Sequence, residues 1–383
     1  MKKITYNKQF IDSKDIKLVA KSLKSDFITS GKEVENFEKK ISKYLKVKYS
    51  VSCINGTAGL DLAFKSINVK QNDVVIMPVI NFIASYSMAK NLGARIFLSD
   101  VDPSTGQMTP KNLVNCITKN KIKKIKAVVS MYLGGYPENI KEFYSLKRRY
   151  NFYLIEDACH AFGASYKIKN KKFKVGSCKH SDLSVFSFHP VKTITTAEGG
   201  AITTNSKSIN NKLRLIKNHN ILRKKNYWEY DIKELSANYR LSDINCALGI
   251  GQLNKIQNFV KVRKKAYIYY KKKLSKYSEV IFTPTYKTKN LASYHLFLIK
   301  LNFKKIFGDK DKFFRYMNKN NIFPQFHYKP INTFSFYKRR NENFYGAQEY
   351  YRSSLSLPLY YGIKKEEQNY IINKIKNYIN KKK

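Results

Sequence analysis

The sequence predicts an α/β fold built on a doubly wound, mostly parallel sheet. Two observations lead to this prediction. Short apolar runs rich in β-branched residues alternate along the chain with segments whose apolar residues recur at helical spacing. Several of these runs end in proline, glycine or acidic residues, which is typical of the strand ends that hold ligands in open α/β sheets. With 383 residues, the chain is long enough for two domains.

Two helices open the chain, and Ser13 is the candidate N-cap of the first. The extended run 49–52 then leads into Asn-Gly-Thr-Ala at 55–58 and a further helical stripe over 60–67. A strand, a small-residue turn and a helix together direct free backbone N–H groups at an anion. The same layout also begins many ordinary helices, so by itself it leaves both interpretations open.

Four further buried strands are predicted, at residues 73–78, 94–98, 127–131 and 152–155. Phe82 follows the first of them at the head of a predicted helix, and an aromatic there is a core residue by default. The last strand ends in Glu-Asp-Ala-Cys-His at 156–160. Acidic residues directly after an apolar strand lie at the carboxyl edge of a parallel sheet, where open α/β folds bind ligands. Taken alone, Asp157 could equally be a helix cap.

Lys192 lies just beyond another apolar run, residues 183–188, which Pro190 ends because proline has no N–H for a ladder. Its neighbours are weakly polar, and Glu-Gly-Gly at 198–200 then turns the chain into a new extended run. Such a lysine suits an aldehyde cofactor, since desolvation disfavours the ammonium form and leaves the amine able to act as a nucleophile. A solvated surface lysine is the ordinary alternative.

The last third of the chain alternates strands and helices. A long helix that starts near Ile244 leads into it, residues 294–299 are predicted to form a strand, and residues 313–317 part of a helix. His-Tyr-Lys-Pro follows at 327–330, and an amphipathic helix over residues 371–379 closes the pattern. These elements are typical of a second, smaller α/β unit.

The segment Ser-Phe-His-x-x-Lys-x-Ile-Thr-x-x-Glu-Gly-Gly around Lys192 closely resembles the cofactor-lysine segment of the sugar aminotransferases of the DegT/DnrJ/EryC1/StrS family. Glu-Asp-Ala-x-His-Ala-x-Gly at 156–163 and Asn-Tyr-Arg at 238–240 resemble other segments of that family. The resemblance implies the type I fold of aminotransferases that use pyridoxal 5'-phosphate (PLP). It also implies a large PLP-binding domain at 1–250, with a mostly parallel central sheet, and a smaller C-terminal α/β domain at 251–383.

The resemblance assigns catalytic roles to Lys192, which would bind PLP covalently, and to Asp157, which would keep the pyridine nitrogen protonated. It implies further cofactor contacts for Thr57, Ala58 and Ser187 at the phosphate, Phe82 over the ring, His160 near the phenolic oxygen, and Asn238. Substrate contacts are implied for Thr29, Arg240, His327 and Tyr328. In the family the equivalent of Asn238 reaches the neighbouring subunit's PLP, so a homodimer is expected. Ser-Ala at 236–237 departs from the glycine usual before this asparagine.

Three segments resemble most the pseudaminic-acid branch of the family: Phe-Ser-Phe-His-Pro-Val-Lys, Leu-Gly-Gly-Tyr-Pro and His-Tyr-x-Pro. That branch implies transfer of an amino group from an amino acid, usually glutamate, to C4 of a UDP-linked 4-keto-6-deoxy-N-acetyl-hexosamine. A sibling aminotransferase acting at C4 or C3 of another UDP- or dTDP-linked keto sugar is the main alternative. A sugar dehydratase is disfavoured, because that branch replaces the lysine with histidine and this chain retains Lys192.

The formal net charge of +46 raises the further alternative of a basic nucleic-acid-binding protein without catalysis. The excess is mostly lysine, spread along the whole chain without a nucleic-acid-binding motif, which favours compositional drift. The charge can still help to gather anionic substrates. Five scattered cysteines without a Cys-x-x-Cys pair predict neither disulfides nor a metal site. With no signal peptide and no apolar stretch of membrane-spanning length, a cytoplasmic enzyme is expected.

Overall fold

A computed structural model of the protein describes residues 3–226, 228–288, 291–338 and 342–380. Its strands are β1 (Ile4–Thr5), β2 (Tyr49–Cys53), β3 (Val74–Pro78), β4 (Arg95–Ser99), β5 (Ala127–Met131), β6 (Tyr153–Asp157), β7 (Ser165–Ile168), β8 (Lys171–Lys174), β9 (Leu183–Ser187), β10 (Gly200–Thr204), β11 (Ile221–Arg223), β12 (Tyr230–Ile232), β13 (Ile281–Phe282), β14 (Phe297–Leu301), β15 (Ile322–Phe323) and β16 (Ser354–Leu357).

The helices are α1 (Ser13–Leu23), α2 (Lys32–Leu45), α3 (Gly56–Ser66), α4 (Ala84–Asn91), α5 (Pro110–Lys119), α6 (Ile140–Tyr150), α7 (Lys207–Ile216), α8 (Asp243–Asn254), α9 (Ile256–Leu274), α10 (Lys310–Lys319), α11 (Tyr345–Ser353) and α12 (Lys365–Ile379). Short 3₁₀ turns lie at Leu133–Gly135, Ser275–Tyr277 and Ile331–Thr333. Across the described ranges, no helix combines the length and the apolar character that a membrane crossing requires.

The central sheet has seven strands in the order β2-β10-β9-β6-β5-β3-β4. Strand β10 runs antiparallel to both of its neighbours, and the other six strands of this sheet share one direction. The predicted mostly parallel α/β fold is therefore confirmed. The shared direction brings the carboxyl ends of six strands to one edge of the sheet. Open α/β sheets bind their ligands at this edge.

Side chains of the central strands alternate between two cores, as the pleat requires. Val75 and Met77 of β3 pack with α3, α4 and α7 on one face, whereas Ile76 between them packs with α5 and α6 on the other. Helices α2 and α8 cover the second face beside them, where Phe186 of β9 is buried. A fully buried aliphatic or aromatic side chain contributes about 1.5–3 kcal/mol, so both faces strongly fix the sheet.

The C-terminal part has its own antiparallel sheet, β13-β14-β16, and its own core with residues of α9, α10 and α12. Strand β1 adds to this part, because Ile4 pairs with Ile322 and is buried in the same core. Conversely, Tyr337 and Tyr350 pack in the core of the large sheet. The domain boundary at residues 250 and 251 stays a prediction.

Three local predictions were wrong in position. Asp12, not Ser13, is the N-cap of α1, because its carboxylate accepts from two backbone N–H groups in a reciprocal capping box with Asp15. The strand predicted at 294–299 is β14, which starts only at Phe297. The long helix from Ile244 is two helices, α8 and α9, which meet at Lys255.

Glu38 ties three elements together from inside the large domain. Its carboxylate on α2 accepts from the backbone N–H and the hydroxyl of Ser52 on β2, at 2.8 and 2.9 Å. It also pairs with Arg214 of α7 and with Lys217 just beyond that helix, each at 3.0 Å. Burial alone would raise the pKa of Glu38, but Lys217 and Arg214 outweigh it and lower that pKa.

We expect Glu38→Gln to lower the free energy of unfolding by about 3 kcal/mol, because Lys217 would lose its buried counter-charge. Since the folded-state pKa of Glu38 lies below the unfolded one, this contribution is present above the unfolded pKa of about 4.5 and is lost as the pH falls through the folded pKa. Denaturant unfolding of both proteins across that range measures it. Glu35→Gln, which removes the exposed pair with Lys39, is the control and should be nearly neutral.

Candidate active site

A cavity of about 600 Å³ opens at the carboxyl edge of the central sheet. Two of its polar groups lie at strand ends in this edge. Asp157 ends β6, where it lies opposite Met131 at the end of β5, and Ser187 ends β9, where it lies opposite Gly200 at the start of the antiparallel β10. The remaining walls come from the start of α3, the loop after β9 and the segment 325–328. The structure thus places Thr57, Phe82, Asp157, His160, Ser187, Lys192, His327 and Tyr328 around one space.

Lys192 lies half-buried on the loop between β9 and β10. Backbone hydrogen bonds from Lys192 to His189 (2.8 Å) and from Thr196 to Phe188 (2.9 Å) close this loop, and Asn245 of α8 anchors it at Thr196. Burial lowers the pKa of Lys192, while negative charge on Cys159 and Asp157 would oppose that shift. A lysine on an anchored loop, with a lowered pKa, has the nucleophilic amine that an aldehyde cofactor needs.

Asp157 is the buried acid of the cavity, with 3% of its surface exposed. Its carboxylate accepts a hydrogen bond from the hydroxyl of Ser85 at 3.2 Å and another from the backbone N–H of Cys159 at 3.3 Å. Within the described residues, no ion pair to Lys, Arg or His satisfies this carboxylate. A buried carboxylate with neutral donors alone favours a cationic partner from a ligand, such as a protonated ring nitrogen.

The start of α3 forms an anion cradle. Among the described contacts, the backbone N–H groups of Gly56 and Thr57 have no hydrogen-bond acceptor. The backbone N–H of Ala58, by contrast, donates to the side-chain oxygen of Asn55 at 2.8 Å. A Cβ at Gly56 would lie 2.9 Å from Cβ of Ser187, so only glycine lets the helix start approach that hydroxyl. Gly56, Thr57 and Ser187 therefore suit a phosphate, and the role of Ala58 stays a prediction.

His160 and Tyr328 form a hydrogen-bonded pair beside the cavity. The backbone N–H of Gly134 donates to Nδ1 of His160 at 3.3 Å, so the ring proton lies on Nε2. Nε2–H then donates to the Tyr328 hydroxyl at 2.9 Å, which leaves the hydroxyl proton of Tyr328 available to a ligand. Burial drives the pKa of His160 well below and that of Tyr328 well above their ordinary values, so both stay neutral.

Several cavity residues were not predicted from the sequence. Cys159 lies inside the recognised motif at 156–163, and its half-buried position next to Asp157 could have been expected from that motif. Tyr6 and Gln325 also line the cavity, but no sequence pattern marks them. His295 does not line the cavity but is fully buried beside it, with its ring centroid 4.3 Å from that of the lining residue His160, and only the folding of the C-terminal part brings it there.

Four predicted residues lie outside this cavity: Ala58, which is buried in α3, and Thr29, Asn238 and Arg240. Asn238 and Thr29 are exposed, and Arg240 is half-buried with its guanidinium on the side chain of Asn218. None of them is among the residues that line the cavity. Phe82 does line it, with 53% of its surface exposed and its ring centroid 5.8 Å from that of Tyr328. Its proposed role over the cofactor ring stays a prediction.

The residues present fit PLP in each of its parts. Lys192 can bond the aldehyde, Asp157 can hold the pyridine nitrogen, and the cradle at Gly56 can take the phosphate. The half-buried lysine with a lowered pKa, the carboxylate without an ionic partner and the cradle that a Cβ would fill all lie within one cavity. The fold and this constellation together define a PLP-dependent enzyme of the type I aminotransferase class.

Residues 9–376 match the DegT/DnrJ/EryC1/StrS aminotransferase family, and the chain belongs to this family of nucleotide-sugar aminotransferases. PLP is the cofactor of the family. The UDP-4-amino-4,6-dideoxy-N-acetyl-beta-L-altrosamine transaminase of Campylobacter jejuni subsp. jejuni serotype O:23/36 is 38% identical over 362 residues, which cover 93% of this chain and 92% of that protein.

Solved structures agree with this assignment. PseC of Helicobacter pylori, an aminotransferase involved in the biosynthesis of pseudoaminic acid, superposes with a TM-score of 0.90, 27% identity and coverage of 99% of each chain. The PLP form of Spr1654 from Streptococcus pneumoniae superposes with a TM-score of 0.88, 25% identity and coverage of 98% of each chain. The predicted fold, enzyme class and cofactor are therefore confirmed.

We expect Gly56→Ala to weaken PLP binding about tenfold, because the added methyl group pushes the start of α3 away from Ser187 and costs a phosphate hydrogen bond. Titration of the apoprotein with PLP, followed by absorbance, measures this.

Gly59→Ala on the same helix is the matched control for that substitution. Its Cβ would lie 2.8 Å from Val185 in the core, not at the cavity, so it should lower the thermal midpoint with little effect on PLP affinity of the folded protein. Equal PLP affinities for the Gly56 variant and the wild type would contradict the proposed cradle.

Proposed function

We propose that this enzyme moves an amino group from an amino acid, with glutamate as the donor, to C4 of a UDP-linked 4-keto-6-deoxy-N-acetyl-hexosamine. The observation that carries this proposal is the match to the Campylobacter jejuni transaminase along almost the whole length of both chains. The structural likeness to PseC supports the same substrate class. The motif His-Tyr-x-Pro at 327–330 lies at the cavity, where a sugar would meet the cofactor.

PLP, when bound, supplies an aldehyde that exchanges amino groups and a ring that withdraws electrons from the carbon attached to the transferred nitrogen. The protein must hold this group, release the attached lysine amine and move one proton. We assign the released amine and the transfer of the proton to Lys192. With PLP held there, the amine of Lys192 would leave the cofactor when the donor's amine takes its place, and its lowered pKa would let it take the proton from the donor carbon.

Asp157 and Tyr328, which both line the cavity, support the proton transfer in this proposal. The Asp157 carboxylate would hold a protonated ring nitrogen, and the charged ring would then withdraw electrons from the donor carbon. The Tyr328 hydroxyl, oriented by His160, can donate to an oxygen of the cofactor or the sugar. Running the same steps backwards with a keto sugar returns the amino group to the sugar carbon.

We expect purified wild type with added PLP to absorb visible light, and glutamate to shift that band to shorter wavelength. After reduction with borohydride, the peptide that contains residue 192 should carry PLP in the wild type. The same peptide of Lys192→Ala should carry none, because the amine that attaches PLP is gone. Lys39→Ala, on the exposed face of α2, is the control and should behave as the wild type.

The substrate itself is tested with glutamate and pairs of keto sugars that differ in the nucleotide. We expect turnover of a UDP-linked 4-keto-6-deoxy-N-acetyl-hexosamine, with the new amine at C4 located by NMR. Turnover of a dTDP-linked sugar alone would move the enzyme to a sibling branch of the family. No PLP band in the wild type would remove the aminotransferase proposal altogether.

We also propose that the enzyme is a homodimer in which Asn238 of each subunit serves the neighbouring active site. Asn238 is exposed and away from the cavity of its own chain. The hairpin before it exposes large apolar side chains, with 64% of Trp228 and 96% of Leu235 accessible, which suits burial against a second copy. We further propose a cytoplasmic location, since all five cysteines are free thiols.

Mixed dimers test the shared site. Heterodimers of Lys192→Ala and Asn238→Ala should regain one intact site each, and so about half of the wild-type activity, although each parent homodimer is impaired. Heterodimers of Lys192→Ala and Asp157→Asn are the control, because both residues belong to one chain's cavity and no intact site can form. An absence of recovery in the first pair would place Asn238 in its own chain's site.

A further inference from the structure

A second cavity, of about 700 Å³, lies away from the active site and shares no lining residue with it. It is formed by the end of α2, the hairpin β7–β8 and the beginning of α9. Four lysines line it: Lys46 at the end of α2, Lys172 and Lys174 on β8, and Lys179 on the loop after β8. Ser165, Ser177 and Gln257 add neutral polar groups, and Tyr44 and Phe173 add aromatic walls.

The charge in this cavity is uncompensated. No acidic residue is among those that line it. Over the described ranges, none of the four lysines forms a salt bridge with Asp or Glu. Elsewhere on this protein lysines near a carboxylate do pair, as Lys65 pairs with Asp61 at 2.8 Å. Positive charge gathered in a concave site without counter-charge attracts anions.

Lys174 is the most constrained of the four lysines. It is half-buried, and its Nζ lies 3.1 Å from the centroid of the Tyr44 ring. Burial, together with the charges of Lys172 and Lys46, lowers the pKa of Lys174 to about 8. The ring of Tyr44 stabilises the ammonium only in part, so the site holds a cation that a bound anion would stabilise further.

We propose that this basic cavity binds a small phosphorylated ligand with two adjacent phosphoryl groups, of the organic diphosphate class. The lysines converge from the end of α2, from β8 and from the loop after β8, which suits two or more neighbouring phosphoryl groups better than a single charge. The cavity is similar in volume to the active-site cavity, so an organic part can lie beside the aromatic walls. A site of this kind, remote from Lys192, is independent of the sugar that the enzyme aminates.

Calorimetric titration of the PLP-loaded enzyme with inorganic pyrophosphate tests the proposal, since PLP then occupies the phosphate cradle of the active site. We expect saturable binding at about 0.15 M salt, where long-range attraction to exposed lysines is screened. Lys174→Gln should weaken it about tenfold, as expected for one lost charge-assisted hydrogen bond. Lys174→Arg, which keeps the charge, should retain it.

The pH dependence provides a second readout. Between pH 7 and pH 9 the wild type should lose affinity relative to Lys174→Arg, because Lys174 gives up its proton near pH 8 and arginine does not. Comparing the two proteins cancels the titration of pyrophosphate itself. The other groups that face Lys174 are Lys46 and Tyr44 of the α2 end and Lys172 on its own hairpin, and all of these are common to both proteins.

Lys272→Gln/Lys273→Gln near the end of α9 is the control, because it removes two positive charges far along the helix from the cavity. Equal weakening in this control and in Lys172→Gln/Lys174→Gln would overturn the proposal in favour of non-specific attraction. Failure of pyrophosphate to bind would also overturn it. Tighter binding of a single-stranded oligonucleotide that depends on Lys172 and Lys174 would replace it with a nucleic-acid site. Unchanged thermal midpoints establish that the variants are folded.

Discussion

Burial of both faces of the central sheet constrains where this protein can keep polar chemistry. A polar group placed on either face would need a hydrogen-bonded partner inside an apolar core, and Glu156 shows how demanding that is. Its carboxylate points into the core from β6, accepts from Tyr132 and Ser184, and has a pKa raised by burial. Asp157, one residue later, reaches the strand end instead. The period of two along one strand separates an acid buried in the core from an acid that faces a ligand.

Much of the site could be predicted because its residues follow strand ends in the sequence. The motifs around Asp157, Lys192 and Gly56 are local, and a shared strand direction brings them together without further information. Tyr6 and His295 could not be predicted in this way, because pairing of β1 with β15 brings Tyr6 to the cavity and packing of the C-terminal part brings His295 beside His160. Errors at helix starts had a smaller cause: Asp12 and Ser13 are both good caps, and only geometry separates them.

The large positive charge and the chemistry of the active site are separate matters. The net charge of +46 is spread along the chain, yet the pKa of Lys192 is lowered mainly by burial. The residues that line the active-site cavity include two acids, Asp157 and Glu198, so the positive charge is not concentrated there. A long-range positive field can raise the local concentration of an anionic nucleotide sugar, but solution ions screen it within about 8–10 Å. Specificity must therefore come from the short contacts inside the cavity.

Some of those short contacts are hydrogen bonds linked in series from the backbone to the cavity. The N–H of Gly134 fixes the tautomer of His160, His160 donates to Tyr328, and Tyr328 keeps one hydroxyl proton for the cavity. A charged imidazole would break this order, since Nδ1 could no longer accept from Gly134. The deep burial that keeps His160 neutral thus has a chemical purpose. In the proposed mechanism Lys192 is then the group that gains and loses protons, while His160 and Tyr328 stay neutral.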